Sequence, residues 1–169
     1  YFGKSVAISG DTALIGAYGA DISGKNMQGS ASVFMRSGTT WTQQATLTAD
    51  DGMADDNFGK AVALSSDMAL IGVANDDVGI DANEGSAYVF VRSGTSWSQQ
   101  DHLFITEGAP TDSFGYSVAL SGDTALIGSP GDDVLPVEGR LPVAGRGFDV
   151  APPENKLILH VGQLGLRLV

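Results

Sequence analysis

The octapeptide SGDTALIG decides the fold of this chain, because it occurs three times at an equal spacing. It occupies residues 9–16, returns unchanged at residues 121–128, and appears as SSDMALIG at residues 65–72. Its first residues, Ser9, Ser65 and Ser121, are therefore 56 residues apart in both steps. A fixed period of this length is typical of an array of structural repeats.

Other motifs keep the same period and set the repeat boundaries. They are Phe2-Gly3, Phe58-Gly59 and Phe114-Gly115; Gly29-Ser30-Ala31 and Gly85-Ser86-Ala87; and Trp41-Thr42-Gln43-Gln44 and Trp97-Ser98-Gln99-Gln100. We predict a first repeat over 1–57 with a truncated start, a second over 58–113, a partial third over 114–139, and a non-repeat tail over 140–169.

Each repeat reads as four short strands joined by turns, with no helical periodicity. Short apolar runs flank a two-residue turn that begins with Gly10 or Gly122, which suits a type II′ hairpin. Two further strands, rich in β-branched and aromatic residues, follow a longer loop. The sequence predicts an all-β chain of about two and a half four-stranded blades of a β-propeller, an incomplete ring. A tight β-sandwich is the alternative architecture.

Composition narrows the classes of partner. The formal net charge is −11, and there is no cysteine. Nucleic acid and anionic membranes both require clustered basic residues, so neither is expected as a partner. No apolar run reaches the about 18 residues of a membrane span, so membrane insertion is not expected. The chain opens on Tyr1 inside a repeat, without a methionine, and we interpret it as a fragment.

The combination of Phe-Gly with Ile15-Gly16-Ala17 and with Ile127-Gly128-Ser129-Pro130 resembles the FG-GAP repeat over residues 1–139. That resemblance implies a blade of the propeller type found in integrin α-chains and in many bacterial and archaeal surface proteins. It therefore implies an extracellular or cell-surface location, and the remaining blades of a parent propeller as partners. The integrin-type calcium loop is not carried over, because Ser9-Gly10-Asp11-Thr12 is too short to wrap the ion.

Two kinds of acidic loop are candidate calcium sites. The first follows the second strand of the second repeat, where oxygen-bearing side chains surround Gly79; the second precedes Phe58-Gly59. Calcium takes six to eight oxygen ligands, which such side chains supply. The candidate ligands are Asp76, Asp77, Asp81 and Glu84 in the first loop, and Asp50, Asp51, Asp55 and Asp56 in the second. The alternative is that these residues form solvated turns.

No residue pattern indicates catalysis, and we predict a non-catalytic protein. Cysteine nucleophiles are excluded, and His102, which replaces Thr46 of the first repeat, is interpreted as a surface substitution. The aromatic pairs Trp41/Trp97 and Phe34/Phe90 indicate core between blades rather than a sugar-stacking platform. The predicted function is binding or adhesion to a protein or glycan through blade loops. An accessory propeller of an extracellular, polysaccharide-active enzyme and a purely structural surface-layer repeat are the alternatives.

The tail breaks the repeat. From Arg140 the expected motifs stop, and the balance of charge changes from acidic to basic. When the codons are read one base later, they permit Ala-Tyr, Gly-Ser-Thr-Trp and Gln at the repeat's internal spacing. We therefore predict that residues 140–169 are frameshifted translation, with a separate domain as the alternative. Sequencing the gene across codon 139 decides between them.

Overall fold

The protein is described by a computed structural model that covers residues 1–79, 82–105, 108–122, 124–131, 143–144 and 157–161, the last two segments as backbone only. Its strands are β1 (Val6–Ser9), β2 (Thr12–Ala17), β3 (Ser30–Ser37), β4 (Thr40–Leu47), β5 (Ala61–Ser65), β6 (Met68–Val73), β7 (Ser86–Ser93), β8 (Ser96–Ile105), β9 (Ser117–Ser121), β10 (Thr124–Ser129), β11 (Val143–Ala144) and β12 (Leu157–Val161). Within these residues, no helix is long and apolar enough to cross a membrane.

The repeats fold as antiparallel meanders, which confirms the all-β prediction. Strands β1 to β4 form one sheet in chain order, here named blade 1, and β5 to β8 form blade 2 in the same order. Strands β9 and β10 pair as the first hairpin of blade 3. In the first hairpins of blades 1 and 2, the turn begins with a residue of positive φ, which is +56° at Gly10 and +51° at Ser66. The second residue of each turn lies outside the left-handed region. That pattern fits the predicted type II′ turn.

The blades stack face to face, and blade 2 lies between the other two. One buried cluster packs Leu14, Val33 and Leu47 of blade 1 against Ile71 and Phe90 of blade 2. Alternate residues of the same strands, such as Leu70 and Val89, join a second cluster with Phe114 and Ile127 of the third repeat. Each fully buried side chain of this size contributes about 1.5–3 kcal/mol. The apolar run of the octapeptide is continuous because its strand packs on both faces where a blade has two neighbours, as β6 does in blade 2.

The blades also meet through the recurring Phe-Gly and Gly-Ser-Ala motifs. Gly29 forms a parallel bridge with Phe58, and Gly85 forms the same bridge with Phe114. Gly29 has φ +88°, and a Cβ there would lie 2.2 Å from the Phe58 carbonyl oxygen. Both phenylalanines are fully buried. Contacts of β1 with β5 and of β5 with β9 place the first strand of each repeat innermost, as in an unclosed propeller.

The tail contributes two strands to these sheets. Strand β11 pairs antiparallel with β8 at the outer edge of blade 2, and β12 pairs parallel with β10. In blades 1 and 2 the strand at the position of β12 runs antiparallel. The rest of the tail, and the predicted boundary at residue 139, lie outside the described residues. Its interpretation as frameshifted translation stays a prediction, as do the repeat boundaries.

Candidate binding surface

The antiparallel order places short turns at one end of each blade and long loops at the other. The turns at Gly10-Asp11 and Gly38-Thr39 follow β1 and β3, whereas the longer loops follow β2 and β4. The second end comprises residues 18–29, 48–57, 74–79, 82–85 and 108–113, and is here named the loop end. Both kinds of acidic loop singled out in the sequence therefore lie at one end of the molecule.

Backbone hydrogen bonds lock each loop to the next repeat. Asp55 N donates to Asn26 O (2.9 Å), and Phe58 N donates to Gln28 O (2.8 Å). The same bonds recur one repeat later, where Thr111 N donates to Ala82 O (3.0 Å) and Phe114 N to Glu84 O (2.9 Å). The bonds of Asp55 and Thr111 join the two long loops of one repeat, and those of Phe58 and Phe114 cross to the next repeat, so the loops of the loop end are held to one another and to the following blade.

The first predicted calcium group is partly used by the protein itself. Asp76 is buried and accepts a hydrogen bond from the Ser86 hydroxyl. Asp77 is exposed, and its Oδ1 accepts a hydrogen bond from Asn83 N at 2.8 Å. Glu84 is buried. Asp81 lies outside the described residues.

The second predicted group separates into exposed and buried members. Asp50, Asp51 and Asp55 are exposed, whereas Asp56 is only 4% exposed. Asp56 Oδ2 accepts a hydrogen bond from Met53 N, and so closes a turn. Burial raises the pKa of the Asp56 carboxyl from 3.8 to about 6; the Met53 hydrogen bond opposes this shift, while Asp76, Asp77 and Asp51 add to it.

One carboxylate from each predicted calcium group belongs to the same cluster of side chains. This cluster consists of Asp51, Asp76, Tyr88 and His102 and is here named the tyrosine–histidine cluster. Tyr88 Oη donates to Asp51 Oδ1 at 2.9 Å and lies 3.3 Å from Asp76 Oδ2. His102 Nδ1 lies 3.3 Å from Asp51 Oδ2, and its Nε2 lies 3.2 Å from Asp76 Oδ2. The imidazole stacks on the Tyr88 ring with centroids 4.2 Å apart. Burial, together with Asp76 and Asp51, raises the pKa of Tyr88.

The interpretation of His102 as a surface substitution is wrong. Its side chain is 20% exposed, because β8 places it beside Tyr88 on the face of blade 2 that packs against blade 1. Both ring nitrogens lie within hydrogen-bonding distance of carboxylate oxygens, so the imidazole fastens the loop of Asp51 to blade 2. A general base needs a ring nitrogen that reaches substrate, and this geometry leaves neither nitrogen directed at an outside group.

The described part of the chain brings together no three histidine or acidic side chains in an arrangement suited to a metal ion. Asp81, a member of the first predicted group, is outside that part. Calcium binding at either loop stays a prediction.

The hydrogen bonds between loops recur with the period of the sequence. A comparison with known protein families finds the same repeats. The model described as FG-GAP repeat matches residues 1–34, 41–90 and 97–140, together more than half of the chain. The chain belongs to the FG-GAP repeat family. A comparison with curated proteins finds no match. FG-GAP repeats are generally non-catalytic repeat domains and are typical of extracellular or surface proteins.

Within these FG-GAP repeats, the paired aromatic residues of blade 2 are more buried than those of blade 1. Phe90 is buried in the core between blades 1 and 2, and Trp97 packs against that core, which confirms the core interpretation for the second repeat. Trp97 Nε1 also donates to Gln44 Oε1 of blade 1 at 3.0 Å. Trp41 is 41% exposed and Phe34 is half-buried, because they belong to the first blade.

Proposed function

We propose that this FG-GAP segment is a non-catalytic binding module of an extracellular or cell-surface protein, with the loop end as its binding surface. The observation that carries the proposal is the locking of successive loops to one another, which presents exposed side chains on a rigid scaffold. Loops that are fixed in this way are where repeat and barrel folds commonly carry their binding residues.

The chemistry of the loop end indicates the class of ligand. Its exposed carboxylates include Asp21, Asp50, Asp51, Asp55 and Asp77. Lys25 is the basic side chain of the described loops, and its Nζ donates to Gly52 O at 2.5 Å. Carboxylates accept hydrogen bonds from sugar hydroxyls and pair with lysine or arginine, so a glycan or the basic surface of a protein is the expected ligand.

A non-catalytic role is supported by the tyrosine–histidine cluster. His102 lies on β8 next to the loop end, and its Nδ1 and Nε2 lie 3.3 Å and 3.2 Å from carboxylate oxygens of Asp51 and Asp76. The cluster thereby acts as a fastening between the loop after blade 1 and the body of blade 2.

The test is a screen of the purified chain against a glycan array and against immobilised secreted proteins, followed by a comparison of two matched variants. We expect D55N/D77N to weaken binding of any hit at least about tenfold, because it removes two exposed charges at the loop end. Asparagine keeps the Oδ1 acceptor used by Asn83 N, so the loop fold is retained.

The control is D11N/D67N, which removes two negative charges from the short turns at the end opposite the loop end. The Asp11 and Asp67 side chains are exposed, and asparagine keeps the Oδ1 acceptors that Arg36 and Arg92 use, so the variant should change stability little. Binding of the hit should be unchanged in this variant. A screen with no hit, or equal weakening by both variants, counts against the proposal and in favour of a structural repeat.

A further inference from the structure

The sulfur of Met35 lies where blades 1 and 2 meet, and two hydrogen-bond donors contact it. Thr12, the partner of Met35 in the pairing of β2 with β3, donates from its hydroxyl to Met35 Sδ at 3.2 Å. Arg92 of blade 2 donates from Nη1 to the same sulfur at 2.9 Å and to Thr12 Oγ1 at 3.1 Å. These three residues are here named the methionine junction.

Both donors of the methionine junction are held in place by other contacts. Asp67 Oδ1 accepts a hydrogen bond from Arg92 Nε at 2.6 Å, and Arg92 Cζ lies 5.5 Å from the centre of the Trp97 ring. Thr12 is only 2% exposed. The guanidinium and the hydroxyl are therefore directed at the sulfur by the fold of the two blades.

This pair of donors suits an oxygen acceptor better than a thioether. A thioether sulfur is a weak acceptor, whereas a hydrogen bond from a guanidinium to an oxygen is strengthened by the charge. Oxidation of a methionine places a polar oxygen on its sulfur. In the second repeat the positions of Thr12 and Met35 are held by Met68 and Val91, which have no hydroxyl, so the blade fold does not itself require the arrangement.

We propose that Met35 is an oxidation site for peroxide, and that Arg92 and Thr12 bind the oxygen of its sulfoxide and so strengthen the junction between blades 1 and 2. Met35 is half-buried, and a molecule as small as hydrogen peroxide reaches it from solvent. The sulfur attacks one peroxide oxygen, so that an S–O bond forms as the O–O bond breaks. Sulfur loses two electrons, and the second oxygen leaves as hydroxide, takes the proton of the transferred hydroxyl and becomes water.

The consequence differs from the usual effect of this modification. A sulfoxide normally disrupts packed surroundings, because it converts an apolar side chain into a polar one. At the methionine junction the flexible, unbranched side chain of Met35 makes room for the oxygen, which meets donors that already point towards it. Since Met35 belongs to blade 1 and Arg92 to blade 2, the new hydrogen bond ties the two blades together.

The experiment uses the chain with its other methionines replaced, M27L/M53L/M68L, so that Met35 is the one methionine left. Treatment with hydrogen peroxide, followed by peptide mass spectrometry, should show one added oxygen at Met35. Urea unfolding then compares the treated and untreated protein. We expect oxidation to lower the unfolding equilibrium constant at least about tenfold, the effect of one hydrogen bond to a charged group.

Two further variants in that background test the donors. Arg92→Leu removes the guanidinium, and in it the oxidation of Met35 should raise the unfolding equilibrium constant, because the sulfoxide oxygen has lost its charged donor. Thr12→Val removes the hydroxyl and should reduce the stabilisation by oxidation. It also serves as the test of the donors if Arg92→Leu does not fold.

The matched control is M27L/M35L/M68L, which keeps Met53 alone. Met53 is 61% exposed at the loop end, so its oxidation should leave the unfolding equilibrium constant unchanged. The proposal is overturned if Met35 stays unoxidised under conditions that convert Met53, or if the oxidised protein is no more stable than the untreated one. A gain in stability that is undiminished in the donor variants also overturns it.

Discussion

At the scale of single residues, the buried carboxyl of Asp56 couples stability to pH. Its pKa is 3.8 in an open environment and about 6 in the fold, chiefly because burial disfavours the charge. Between these values the folded state holds more protons than the unfolded state. The unfolding free energy therefore falls as pH rises from about 4 to about 6, by about 3 kcal/mol at most.

Asp56→Asn should remove that contribution and keep the acceptor for Met53 N. We expect the variant to be more stable than the wild type at pH 7, and the difference to shrink as pH falls towards 4. Urea unfolding of both proteins at several pH values measures this difference and cancels the titration of other groups. A difference that is constant over this pH range would show that Asp56 ionises normally.

Single residues also show which parts of the site could be predicted from the sequence and which could not. Asp56 recurs as Asp112, whose Oδ2 accepts a hydrogen bond from Ala109 N at 2.7 Å. The period makes the two positions equivalent, whereas the acidic pattern alone had suggested Asp56 as a calcium ligand. His102 replaces Thr46, so no repetition marked the tyrosine–histidine cluster, which depends on the distance between a loop and a strand of different repeats.

At the scale of elements, the second strands of blades 1 and 2 each pack against the following blade through a glycine. A Cβ on Gly72 would lie 1.9 Å from the Gly115 carbonyl oxygen, a backbone atom that cannot move without shifting blade 3. Gly72→Ala should therefore lower the unfolding free energy by about 1–3 kcal/mol. Urea unfolding of the dilute protein measures the loss.

Gly128 is the matched control, since it occupies the same position in blade 3. The nearest atom to a Cβ there is Ser117 Oγ at 2.3 Å, which a side-chain rotation removes. Gly128→Ala should cost less than Gly72→Ala for this reason. Equal losses would mean that the intrinsic preference of the strand, rather than the approach of the next blade, sets the effect.

The sequence pattern predicted the strands of each repeat better than it predicted the pairing of strands from distant segments. Alternation and turn residues predicted four strands per repeat, and blades 1 and 2 have them in chain order. The parallel pairing of β12 with β10 had no such signal, because a tail strand pairs by reaching an open edge rather than by a turn. Local patterns encode hairpins, whereas pairings between distant segments depend on which edge is left open.

At the scale of the whole molecule, stability should be greatest in the blade that is covered on both sides. Blade 2 contributes to both buried clusters, whereas blade 1 contributes to one. Since amide exchange requires local opening, amides of β6 and β7 should exchange at least about tenfold more slowly than those of β1 and β2. Hydrogen exchange with mass spectrometry on the dilute chain measures these rates.

Equal protection of blades 1 and 2 in the dilute wild type would show that stacking between blades adds little to their stability. In that case the stability of each repeat would come from the folding of its own four-stranded meander.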